Sequence, residues 1–133
     1  MEYYNSPQAP GYLYIMRAGD QWKIGSSTDP AARCRELRRK GYPETELVTK
    51  YKVSNMEQAE REAHKALTKK GLSQVEKEGR RTDWFQKPSY ISYSDIEKIV
   101  EKAAKEYGDY TYICYILAVL ALIIIFSLVY FLF

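Results

Sequence analysis

Glu60 and His64 stand one helical turn apart, and His64 is the only histidine of the chain. They fall in a stretch whose apolar residues, Met56, Ala59, Ala63, Ala66 and Leu67, form one arc on a helical wheel. At about 100° per residue, Glu60 lies roughly 20° beyond Leu67, at the edge of that arc. A carboxylate there points into the domain, unlike Glu57 or Glu62. It can hold a metal ion, or pair with Arg33 or Lys23. His64 follows on the same side, placed either to assist proton transfer or to cap and pack.

A second grouping is cationic. Arg33, Arg35, Arg38, Arg39 and Lys40 crowd one predicted helix, and Lys69, Lys70, Arg80 and Arg81 follow later. The formal net charge is +3. Clustered base suits a polyanion, with a solvated helix face or attraction to anionic lipid as the alternatives. The planar guanidinium of Arg33 suits a clamp on phosphate. The two cysteines, Cys34 and Cys114, imply no disulfide framework, and no zinc-type spacing exists. A His-rich metal site and a Cys-His hydrolase of the usual kind are excluded.

Gly11-Tyr12-Leu13-Tyr14-Ile15 and Trp22-Lys23-Ile24-Gly25 flank a turn at Ala18-Gly19-Asp20-Gln21. This hairpin resembles the opening of the GIY-YIG nuclease family, and the resemblance covers roughly residues 11 to 86. Tyr14 looks like the tyrosine of the first motif, with Tyr12 on the opposite strand face as the other candidate. Lys23-Ile24-Gly25 looks like the second motif. Arg33 resembles the family arginine, and Glu60 the metal-binding glutamate. Glu60-Arg61-Glu62-Ala63-His64 and Asp83-Trp84-Phe85 resemble a divergent phage and fungal branch often described as DNA-binding.

The resemblance implies cleavage of DNA phosphodiesters with Mg²⁺ or Mn²⁺; RNA stands as a second substrate. That chemistry needs a metal at a developing oxyanion, a cation on the phosphate and a base for water. It implies Glu60 on the metal, and Tyr14, Lys23, Arg33 and His64 as the catalytic set. Arg35, Arg38, Arg39 and Lys40 would hold the nucleic acid. Lys23 stands where the second motif normally has tyrosine. As a neutral amine it would serve as base, and as an ammonium it would bind phosphate. Two competing readings are a catalytically silent domain that binds nucleic acid, and a membrane-anchored interaction protein.

The elements that must position these residues are legible. Tyr12 to Met16 and Gln21 to Gly25 read as paired strands. Asp29-Pro30 opens a helix that runs to about Lys40. Glu46 to Val53 reads as a third strand. Asn55 caps a second helix that ends near Lys70, before Gly71, with Gln58 in the capping-box position. Gly71 to Arg81 reads as polar loop, and Thr82 to Gln86 as a short edge strand whose Trp84 and Phe85 are core. Ser94-Asp95-Ile96-Glu97 reads as a capping box for a helix that docks through Ile96, Ile99, Val100, Ala103 and Tyr107. The fold class expected is α/β, a small sandwich of a central antiparallel sheet flanked by helices.

Mean hydropathy, −0.46, averages two unlike parts. From Tyr112 to Phe133 no charge interrupts an apolar run. About 22 residues of helix span roughly 33 Å, the thickness of a hydrocarbon core. The organisation expected is a leader over 1–10, a domain over 11–107, a linker over 108–111 and a transmembrane tail anchor over 112–133. Tyr110, Tyr112 and Tyr115 would form an aromatic belt. Lys98, Lys102 and Lys105 put the domain on the cytoplasmic side of a lipid bilayer.

Overall fold

The computed structural model describes residues 9–108 and 111–133, with the side chains of 111 and 112 excepted. Most of the expected leader, part of the linker, Tyr110 and the Tyr112 side chain lie outside the described residues. The elements run β1 (Gly11–Ala18), β2 (Gln21–Ser27), α1 (Pro30–Arg39), β3 (Glu46–Val53), α2 (Met56–Lys70), β4 (Ser73–Lys77), β5 (Arg80–Gln86), α3 (Tyr93–Glu106) and α4 (Thr111–Leu132). The five strands form one sheet, ordered β3-β1-β2-β5-β4, and every pairing is antiparallel.

Strand β1 lies inside the sheet, between β3 and β2, and both its faces are covered. Leu13, Tyr14, Ile15 and Met16 are all buried, the continuous apolar run of a strand with no solvated side. Alternation divides them. Leu13 and Ile15 join Trp22, Ile24, Val53 and Phe85 under Ala59, Ala63 and Leu67 of α2 and Ile96 and Val100 of α3. Tyr14 and Met16 join Trp84 under Cys34 and Leu37 of α1. The helices are fixed by their ends. The Asp29 side chain accepts from the Ala32 N–H, and Asn55 from Gln58. Gly71 closes α2 in the left-handed region, φ +119°.

Two expectations are corrected. Residues 71–81 are not all loop: Ser73–Lys77 forms β4, which becomes the sheet edge and moves β5 inside. Only Val75 is apolar in β4, so its pattern is too polar to read as a strand. Helix α3 starts two residues earlier than expected. Its capping box is Ser92 with Asp95, whose side chains each bond the other's backbone N–H. Ser94 offered the same spacing with Glu97, and sequence alone does not separate two overlapping boxes.

Helix α4 carries 20 residues, Ile113–Leu132, long and apolar enough to cross a membrane.

Candidate functional site

The site begins with a close approach. Tyr14 on β1 pairs with Gly25 on β2. A Cβ at Gly25 would lie 2.6 Å from the Tyr14 hydroxyl. Glycine there lets the Tyr14 ring lie flat across the neighbouring strand. The hydroxyl thereby comes within hydrogen-bonding reach of the Arg33 guanidinium, which α1 supplies one turn after its cap. Burial, first of all, pushes the Tyr14 hydroxyl up to about 12, with Glu60 and Asp83 adding and Arg33 opposing. At neutral pH Tyr14 is therefore a hydrogen-bond donor and not a phenolate.

The second half of the site comes from α2 and β5. Ser26 donates to Glu60 Oε2 at 2.5 Å. His64 Nε2 lies 3.8 Å from Glu60 Oε1. The His64 ring stacks edge-on to Phe85, with centroids 5.1 Å apart. One ligand atom each from Glu60, His64 and Asp83 lie within 4.8 Å of one another. Burial raises the Glu60 carboxyl above its ordinary value, and the Asp83 charge adds to this; the Ser26 bond, His64 and Lys23 act against it. A cation between the two carboxylates would relieve both the desolvation and the repulsion.

Lys23 is buried, unusually for a lysine. Its Nζ lies 3.4 Å from Asp83 Oδ2 and 5.4 Å from the centre of the Trp84 ring. The Lys23 ammonium thus reaches the same carboxylate that faces Glu60.

The donor set of two carboxylates and one imidazole fits a hard divalent ion such as Mg²⁺ or Mn²⁺. The fit is better for the carboxylates than for the ring. His64 Nε2 lies 2.5 Å from the Ile24 carbonyl, which only accepts, so Nε2 carries the proton in that bond. Glu60 and Asp83 are the oxygen ligands that the arrangement offers first.

The structure thus gathers Tyr14, Lys23, Arg33, Glu60 and His64, drawn from β1, β2, α1 and α2. It adds Ser26, which sequence reasoning passed over, and it gives partners to Asp83, named from sequence only as the acid of the Asp83-Trp84-Phe85 motif. The signal for Ser26 was available: strand alternation puts it on the α2 face with Ile24. Arg35, Arg38, Arg39 and Lys40 do not join the cluster. Arg38 Nε donates to the Thr45 carbonyl at 2.7 Å, and Lys40 Nζ pairs with Glu36 at 2.6 Å. Arg33 is also paired with Glu36, at 3.0 Å.

With this geometry in hand, the comparison with known families decides the assignment. The family model that matches is the T5orf172 domain, over residues 11–104. The chain belongs to the T5orf172 domain family. This corrects the GIY-YIG assignment. In this chain Gly25 of the Lys23-Ile24-Gly25 pattern has a packing cause: the Tyr14 ring lies against it and leaves no room for a Cβ. A nuclease-like or nucleic-acid-binding role goes with the T5orf172 domain. No curated protein and no solved structure matches the chain.

Proposed function

We propose that this T5orf172 protein is a divalent-metal-dependent endonuclease that cuts DNA phosphodiester bonds while tethered to a bilayer by α4, its domain on the cytoplasmic side. The observation that carries the reading is the convergence of Glu60, Asp83 and His64 within 4.8 Å, beside the Tyr14 hydroxyl and Arg33. A metal bound there supplies Lewis-acid stabilisation of the phosphate and a more acidic water. Glu60, oriented by Ser26, and Asp83 hold it. Arg33 and Lys23 offset the charge that gathers on the phosphate oxygens in the transition state. Tyr14, kept protonated by burial, donates a hydrogen bond to a phosphate oxygen. With Nε2 engaged by Ile24, His64 offers Nδ1 as its proton acceptor. Hydrolysis places a water oxygen on phosphorus and sends a proton to the departing oxygen.

One observation favours a second reading. The Lys23 ammonium already neutralises Asp83 at 3.4 Å, and a site balanced by its own lysine binds nucleic acid without turnover. Nicking of supercoiled plasmid by the full chain in detergent separates the two. The nuclease requires Mg²⁺ or Mn²⁺, is silenced by EDTA, and loses nicking by about 100-fold or more in Glu60→Ala and Arg33→Ala. A chain that nicks in no metal, yet binds plasmid as well or better after Glu60→Ala, is the silent binder.

A further inference from the structure

The hairpin joining β4 and β5 has a chemistry that the site above does not use. Its tip is Lys77-Glu78-Gly79-Arg80, with Lys77 and Arg80 directly opposite each other in the register. Glu78 and Gly79 both have positive φ, 54° and 76°, which is the two-residue primed turn matched to strand twist. A non-glycine residue held in the left-handed region makes this a defined turn and not a slack loop.

The charges on it are mixed, with a cationic excess: Lys77, Arg80 and Arg81 stand against Glu76, opposite Arg81 in the register, and Glu78 at the tip. Like charges opposite each other across a strand pair are destabilising, yet Lys77 faces Arg80 at the closing pair. Lys77, Arg80 and Arg81 are all exposed. Among the described residues none of the three has a salt-bridge partner. On helix α1, Arg33 and Lys40 are paired with Glu36 and Arg38 donates to the Thr45 carbonyl, whereas Arg35 and Arg39 are exposed like the hairpin cations.

The hairpin is also aimed. Arg81 is only two residues from Asp83 along β5, so the cationic tip adjoins Asp83 in the chain. The tip extends past the last β2–β5 pair, Lys23↔Trp84, on the side of Asp83.

We propose that this hairpin is a phosphate-binding arm, in which Lys77, Arg80 and Arg81 grip the backbone of a duplex whose neighbouring phosphate lies at the Glu60–Asp83 site. The proposal rests on the nucleic-acid reading above and names the surface that makes it. Backbone contacts of this kind position the substrate without reading its sequence.

The test is fluorescence anisotropy of a labelled duplex with the full chain in nonionic detergent and EDTA, between about 50 and 200 mM salt. The triple variant K77A/R80A/R81A is expected to flatten the slope of log affinity on log salt by about 2 to 3, with an affinity loss of tenfold or more at the upper salt. R80K/R81K, which keeps charge and turn, is expected to keep the wild-type slope. A triple variant that binds with the wild-type slope overturns the arm and leaves the nuclease reading standing. A wild-type chain that binds no duplex at about 50 mM salt, either in EDTA or with Ca²⁺ in its place, overturns both.

Discussion

Tyr14 shows how burial selects a role for a side chain. The ordinary value of its hydroxyl, 10.0, is raised to about 12 in the folded chain. Because the folded value lies above the unfolded one, the neutral hydroxyl's contribution is complete below about pH 10 and is lost as pH climbs toward 12. Measured against Tyr14→Phe, urea stability should therefore fall by on the order of 1 kcal/mol between about pH 9 and about pH 11. Trp22 and Trp84 fluorescence provides the signal, and a difference that stays flat would show that the hydroxyl is solvated. Glu60 was legible as an inward carboxylate because helical periodicity reports direction. Asp83 was not. Its importance comes from pairing with Lys23, 60 residues away, and no local pattern encodes such a distance.

At the scale of elements, the site depends on how closely β1 and β2 approach. Gly25→Ala puts a methyl group where the Tyr14 ring lies. The ring must move, and overpacking of this kind costs about 1–3 kcal/mol. Nicking is expected to fall with it, since Tyr14 and Arg33 lose their shared position. The denaturation midpoint and the nicking rate check the two consequences separately. A neutral Gly25→Ala would mean that Tyr14 has another rotamer available. The helices that carry Arg33, Glu60 and His64 were legible almost to the residue, because Asp29-Pro30, Asn55 and Gly71 are end signals with a local physical cause. Strand β4 was invisible, since an edge strand buries little and its turn uses Glu78 where asparagine or aspartate is usual.

At the scale of the molecule, a cationic α/β domain and a 22-residue apolar helix are joined in one chain. If α4 crosses a membrane as proposed, the chain stays in the membrane fraction after an alkaline carbonate wash. Leu122→Lys with Ile123→Lys, each costing about 3 kcal/mol at a helix centre, is expected to release it. Retention of the double variant would remove the tether from the proposal. The sequence by itself determined the α/β class, the apolar helix, the ends of α1 and α2 and the inward direction of Glu60. Each follows from periodicity or capping within a few residues. Only the tertiary structure brought Ser26 to Glu60 and Asp83 to Lys23, tied Arg38 and Lys40 down on α1, and formed the β4–β5 hairpin with its exposed Lys77, Arg80 and Arg81. Those outcomes depend on strand order and on distances between residues far apart in the chain, which are set when the sheet closes.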